Sequence, residues 1–559
     1  MEKAITSPGW QLPKSVYYYV MAAAILINIA GIAIPFFTDD PALYAILARN
    51  MAHSNNFTDL IYHGRDWLDK PHFPFWVVAI SFKIFGINSV AYKLPGLLFY
   101  GMSVIYTYKL CRKFYDAQTA LLAVLILLTA QHTIMSNTDV RAEPYIMGLL
   151  IASVYHFYKL KERFSTADLL LATLFAACAV MTKGIYLLIP IGSAIIGDYL
   201  FKKDYKGMLQ WRWLLSVVLV CVFVLPEIYT VYQQFDLHPE KTVFGRKGVS
   251  GIWWFLWGSQ FGRFNNDGFI KNSHGDPFFF MHTLLWAFAP WAIVFFYAIG
   301  KKIRDIIKGI PQPEYLCITA SVVMLLIFSI SKFQLPFYTN ILFPFFAVIT
   351  AGFIRPLIAG AEFRFFKISQ YVICGLLLVA FAAIGFLFAP EKLWVAIVLL
   401  LTGAFSIYLI YRPGRGGYQP VFLLSCVMMI IINAWFVLVF YPKLVSYKGD
   451  TVAAEYVNAH YPGRQVVSTA PMADRFDFYM KQPVVYATAE DIINKGIAKG
   501  SLVFANDAAM DKLKSSPLRI QVLKIFDNYF GENLTLAFIN QATRQCTLVH
   551  FYLIRIGVE

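Results

Sequence analysis

The sequence predicts a polytopic α-helical membrane protein that ends in a small soluble α/β domain. Three observations carry that reading. Of 559 residues, 58% are hydrophobic and 14% charged, with a mean hydropathy of +0.58, whereas soluble chains run at roughly half apolar and a quarter charged. About thirteen stretches approach the roughly 20 apolar residues that a helix needs to cross a hydrocarbon core. After residue 440 this pattern stops and short β-like runs replace it.

In chain order the expected transmembrane helices are 16–37, 91–110, 118–136, 144–160, 167–182, 185–200, 212–232, 278–299, 313–331, 335–353, 368–389, 392–410 and 419–440. With the N-terminus (Lys3, Lys14) in the cytoplasm, alternate loops hold Lys109/Arg112/Lys113, Lys159/Lys161/Arg163, Lys202/Lys203/Lys206/Arg212, Lys301/Lys302/Arg304/Lys308, Arg355/Arg364/Lys367 and Arg412/Arg415. Each of these short loops is basic. The opposite loops are very short (137–143, 183–184, 332–334, 390–391) or long and mixed in charge (38–90, 233–277). This follows the positive-inside rule and leaves the C-terminus extracytoplasmic. Topology thereby absorbs most of the net charge of +15, and no nucleic-acid partner is expected. The first span reads as an uncleaved signal anchor, because no A-x-A cleavage site follows it. The seven cysteines contain no CxxC pair, so neither a disulfide framework nor a zinc site is implied.

The tail, 441–559, carries β-like runs at 465–470, 483–488, 501–506, 535–540 and 546–556, with helix-compatible stretches at 451–460 and 489–498. It lacks a nucleotide-binding glycine fingerprint and metal-ligand spacing. It reads as a recognition or stabilising module on the periplasmic side.

Ionisable residues are costly in lipid and mark functional sites by default. Under this topology the unusual ones share the outer face: Asp39, Asp40, Asp66, Asp69, Lys70, Lys93, Asp139, Arg141, Glu143, Lys183, Arg263, His274 and Lys332. A transporter is expected instead to place its binding groups near the midplane, on interrupted helices in matching halves. In FFTDDPALYAILARNM, Asp40 followed by Pro41 reads as a helix start, with Asp40 as N-cap. Leu43, Ile46, Leu47 and Met51 give that helix one apolar face, expected to lie along the membrane surface. One acid suffices for the cap, which leaves Asp39 as a candidate general base. In WLDKPHFPFW, Asp69 and Lys70 form either a solvated pair or a working one, with Lys70 on an anionic leaving group and Asp69 orienting an acceptor or a cation. His274 lies in a polar, Gly-rich loop. Lys332 sits at the membrane surface, where snorkelling is the alternative role, and Tyr338 lies one turn into the next span. A cluster of Lys and Arg facing carboxylates suits an anionic lipid headgroup.

The ordered motifs TDDPALYA, WLDKPHFPFW, MTKG, NSHGDPFFF with a later APW, and SKFQLPFYTNILFPF resemble those of the integral-membrane glycosyltransferases that use polyprenyl-phosphate sugars. The resemblance is in particular to the lipid A aminoarabinose transferases and their protein O-mannosyltransferase relatives, and it covers roughly residues 1–440. The resemblance implies a GT-C-type fold and transfer with inversion of configuration. It also implies Asp39 as the catalytic acid, Lys70 of the acid-Lys-Pro motif (Asp69, Lys70, Pro71) on the donor phosphate, and Lys332 and Tyr338 near that phosphate. His274 is implied as a metal or headgroup ligand. Asp69 stands where the aminoarabinose enzymes carry Glu, and TDVRAEP, with Asp139, Arg141 and Glu143, matches loosely; these three, Lys93 and Lys183 form a second tier.

The combined reading is an inverting glycosyltransferase of the inner membrane. It takes a sugar from a polyprenyl-phosphate donor to a lipid (lipid A-like) or protein acceptor at the periplasmic face. Asp39 is the base, Asp40 orients the acceptor, and Lys70, Arg263, Lys332 and Tyr338 hold the donor phosphate. Asp69 and His274 are candidate ligands for a divalent metal ion. The rivals are a polyprenyl-lipid flippase or transporter without covalent chemistry, and a scaffold acting through the C-terminal domain.

Overall fold

The computed structural model describes residues 13–266, 275–411, 417–470, 473–495, 500–531 and 533–557. Helical segments occupy every stretch expected to span. Among the described residues, seven helices are long and apolar enough to cross a membrane. The count becomes eight if Ala117–Thr129 and Gln131–Thr138, bent by 56°, are taken as one span. Thirteen full-length spans are therefore not met by helix length. Leu188–Phe201 and Leu316–Ile330 have 14 and 15 residues, about 21–23 Å at 1.5 Å per residue. The stretch 278–299 is two helices, Phe279–Ala287 and Ala292–Ile307, parted at Pro290, whose ring cannot continue a helix.

The helices share one large apolar core that includes Tyr17, Phe75, Tyr145, Trp291, Phe346 and Phe422. The first-loop helix, Asp39–Ser54, is packed into that core. Ile46, Leu47 and Met51, expected to face lipid, are at most 1% exposed, because the short helix Phe73–Phe85 and the distant helix Asp474–Tyr479 cover them. Phe73–Phe85 has 13 residues, too few to cross. The helix start also differs from expectation. Thr38, with extended backbone (φ −111°, ψ 166°), holds the N-cap position in place of Asp40. Its backbone N–H and Oγ1 donate to Asp139 Oδ2 at 2.9 and 2.5 Å.

The tail folds around a five-stranded sheet ordered Val484–Tyr486, Val466–Ser468, Leu502–Asn506, Val549–Ile556, Ile520–Asn528. The first three strands are parallel and the last two pair antiparallel. The run 535–540, expected as a strand, is a helical turn, Leu536–Ile539. Thr535 caps it, and Phe538 is fully buried against Tyr529 and Phe388. The strand Ile520–Asn528 was not anticipated, since its largely exposed pattern hides the alternation that marks half-buried strands.

The loop that carries Asp69 and Lys70 is pinned from below. His72 and Glu227 are both fully buried. His72 N–H donates to Glu227 Oε2 at 2.9 Å, and Nδ1 lies 3.0 Å from Oε1. On its other side His72 Nε2 meets the Thr58 carbonyl at 3.0 Å. Glu227→Ala orphans these groups and is expected to cost about 2–5 kcal/mol, read as a lower thermal unfolding midpoint. Glu227→Gln is expected to cost less, and equal midpoints for Ala and parent would contradict the anchoring role.

Candidate active site

Asp69 is held between two cations. Lys70 Nζ reaches its Oδ2, and Arg263, on the helix Ser259–Asn265 far along the chain, reaches Oδ1. Burial disfavours the Asp69 charge, yet Lys70 and Arg263 together hold its carboxyl below the usual aspartate range. Burial and the neighbouring Arg263 lower the Lys70 ammonium, against the pull of Asp69 and Asp40. The arrangement is two cations on one carboxylate, with a positive charge left over.

That surplus borders a cavity of about 90 Å³ lined by Lys183, Tyr186, Arg263, Ser331, Phe333 and Tyr338, among others. Lys183 closes the helix Thr166–Lys183 and donates to Glu143 Oε1 at 2.5 Å. Its ammonium stands 4.5 Å from the centre of the Tyr338 ring. Tyr186, Gln260, Phe264 and Ile327 continue from this cavity into a groove of about 860 Å³, otherwise lined, apart from Ser193, by apolar residues such as Ile189, Ile196 and Phe261. A polar head with two cations thus opens into a greasy channel.

A second, small cavity is lined by Lys70, Tyr44, Phe75, Tyr92, Arg141 and Tyr145. Arg141 Nη1 lies 3.3 Å from Asp40 Oδ2, and its guanidinium sits 4.8 Å from the Phe337 ring, which Lys183 also approaches. Asp39 Oδ1 accepts from Arg475 Nη1 at 2.6 Å. Both acids stay accessible, with side chains 50% and 45% exposed. Asp139, by contrast, is buried. Burial pushes its carboxyl up, against Lys93 and the Thr38 hydrogen bonds, and it serves to fix the start of the first-loop helix.

The structure therefore brings together Asp40, Asp69, Lys70, Arg141, Glu143, Lys183, Arg263 and Tyr338, with Asp39 at the same helix start. Other candidates fall elsewhere. The Lys93 ammonium is buried against the Gly31 and Ile34 carbonyls at 3.2 and 2.5 Å, a structural role. Lys332 has an exposed side chain, and its neighbours Ser331 and Phe333 line the cavity instead. His274 lies outside the described residues. Lys70 and Arg263 meet both carboxylate oxygens of Asp69, and the other expected metal ligand, His274, lies outside the described residues. No group of three His, Cys, Asp or Glu side chains suited to a metal occurs among the described residues. Sequence reasoning missed Arg475; the run DRFD was its one signal, inside a tail read as a separate module.

Residues 69–229 match the family model described as dolichyl-phosphate-mannose-protein mannosyltransferase. The chain is 25% identical over 336 residues to an undecaprenyl phosphate-α-4-amino-4-deoxy-L-arabinose arabinosyl transferase of Pseudomonas fluorescens, covering 59% of this chain and 55% of that protein. It is 28% identical over 310 residues to the corresponding transferase 2 of Proteus mirabilis, covering 54% and 52%. This chain resembles the polyprenyl-phosphate-sugar-dependent glycosyltransferases. The matches bear out the resemblance and enzyme class read from the motifs, and span about half the length of these curated relatives. In architecture, the crystal structure of ArnT from Cupriavidus metallidurans bound to undecaprenyl phosphate superposes with a TM-score of 0.75 at 15% identity, over 98% of this chain and 99% of that one. The GT-C-type fold is thereby shown.

The Asp69 carboxyl titrates lower when folded, so its stabilisation is full above the ordinary aspartate range and fades as pH falls below about 4. Asp69→Asn is expected to lower the unfolding midpoint at neutral pH and to approach the parent in acid. A stability gap independent of pH would contradict the triad.

Proposed function

We propose that the chain transfers a sugar, with inversion, from a polyprenyl-phosphate donor to a lipid A-like lipid or a protein acceptor at the periplasmic face of an inner membrane. The observation that carries this is the cationic cavity of Lys183 and Arg263 opening into an apolar groove, beside two accessible acids. An isoprenoid phosphate has that shape and charge, and the names of the relatives point to the same donor. The comparisons do not favour the flippase reading. The proposed topology keeps the N-terminus cytoplasmic, thirteen crossings, and residues 441–559 as a periplasmic domain.

In this account the acceptor's oxygen or nitrogen attacks the anomeric carbon. The bond from that carbon to the phosphate oxygen breaks, and its electron pair leaves with the polyprenyl phosphate. Arg263, Lys183 and Lys70 meet the charge that grows there, through donors placed before the reaction starts. Asp39 takes the acceptor's proton, and Asp40, steadied by Arg141, orients the acceptor. Tyr338 walls the phosphate and keeps Lys183 in place.

Mass spectrometry of glycolipids and glycoproteins from cells with and without the protein names donor and acceptor together. Loss of no glycosylated product would contradict the proposal. Asp39→Asn is expected to fold normally and to lose about 10²–10⁴-fold in turnover, the usual worth of general-base assistance; full activity would remove Asp39 from this role. Arg263→Ala and Lys183→Ala are expected to weaken polyprenyl-phosphate binding in a titration with the product lipid, whereas unchanged affinity would move the phosphate elsewhere.

A further inference from the structure

Asp39 is gripped from the opposite end of the chain. The helix Asp474–Tyr479 lies against the first-loop helix, and it carries three charged residues that behave differently. Asp477 Oδ1 pairs with Arg49 Nη2 at 3.0 Å, and its Oδ2 faces His63 Nε2 at 3.6 Å. Asp474 Oδ1 accepts from the Tyr62 hydroxyl at 2.7 Å and lies 3.4 Å from His63 Nε2. These two acids dock the tail on the first loop. Arg475, between them in sequence, reaches the candidate base instead.

The Arg475 side chain is 7% exposed and the Asp450 side chain 2%. Arg475 Nε donates to Asp450 Oδ1 at 3.0 Å and Nη1 to Asp39 Oδ1 at 2.6 Å. One edge of a rigid, planar fork is therefore fixed to a buried acid and the other edge holds a half-exposed one. A guanidinium presents its donors in a set geometry and stays charged, so a carboxylate bound to it is fixed in direction as well as place. When Asp39 takes up a proton, Asp450 still compensates the guanidinium, and Arg475 need not move.

We infer that Arg475 is a positioning residue that aims the Asp39 carboxylate at the acceptor, so that the C-terminal region completes the active site. The inference rests on the proposed transfer with Asp39 as base. The tail is then a working part of the catalyst, beyond the recognition or stabilising module expected from its sequence. Its cost when lost is misaim, and misplacement of a catalytic group by about 1 Å is worth about 10²-fold in rate.

The test uses the full-length protein in nanodiscs, with undecaprenyl-phosphate aminoarabinose as donor and lipid A as acceptor. Size-exclusion profile and unfolding midpoint are followed for each variant. Arg475→Ala is expected to lower kcat about 10²-fold while the donor KM stays within about twofold, the pattern of a loss confined to the transition state. Arg475→Lys keeps the charge without the fork and is expected to recover part of the rate. Asp450→Asn, which keeps Arg475 and Asp39 intact as a pair, is expected to lose less, in the same direction; it carries the test should Arg475→Ala misfold. Asp477→Asn breaks the neighbouring docking contact and is expected to keep parental kcat. Full kcat in Arg475→Ala, or equal losses in Arg475→Ala and Asp477→Asn, would overturn the inference while leaving the proposed function standing. An active Asp39→Asn would remove Asp39 from the role of base and overturn this inference with it.

Discussion

Charge that is withdrawn from water must be compensated, and this chain meets the requirement at one place on which the rest depends: Asp69 between Lys70 and Arg263. An isolated buried ion costs several kcal/mol even after relaxation. With one carboxylate shared by two cations, the site is compensated enough to fold and still positive enough to want an anion. Those partners lie 194 positions apart for Arg263 and adjacent for Lys70. The triad therefore ties the loop before Phe73–Phe85 to the long loop after Trp211–Val231, and the buried His72–Glu227 contact ties the same first loop to the helix Trp211–Val231 itself.

A second set of contacts extends this logic to the tail. Phe36 N–H donates to the Tyr479 hydroxyl at 2.9 Å, Arg49 meets Asp477, and Arg475 meets Asp39. The first loop is thus fastened on both sides, by helices below and by the C-terminal region above. Such fastening suits a site that must hold developing charge, since donors fixed in advance need no reorganisation as the reaction proceeds. The apolar groove needs no such precision, and its lining by Ile, Phe and Tyr side chains reflects that.

Much of this was legible in the sequence, for identifiable reasons. Helical stretches followed from apolar length, and the order of short motifs identified the glycosyltransferase resemblance. Asp69, Lys70, Arg263 and Tyr338 stood out because charge and polarity at a membrane surface are conspicuous. The place of Lys183 beside Glu143 and Tyr338 was not legible, since a single Lys at a helix end has a bland alternative and its cavity is built from separate stretches of chain. The outward turn of the Lys332 side chain was not legible either, because hydropathy cannot say which way a side chain turns. Helix length was less legible: 278–299 breaks at Pro290, and Leu188–Phe201 and Leu316–Ile330 stop at 14 and 15 residues. Arg475 was invisible, because its meaning arises from a pairing across 436 positions.

The central claim is that the outer-face cations around Arg263 and Lys183 receive the phosphate of an isoprenoid lipid. A cryo-EM structure of the protein in nanodiscs with undecaprenyl phosphate tests it most directly. The account predicts the phosphate within hydrogen-bond distance of Arg263 and Lys183, with the chain running past Tyr186 and Ile196. A phosphate seated instead among Lys161, Lys202 and Arg212 at the other end of the bundle would contradict it.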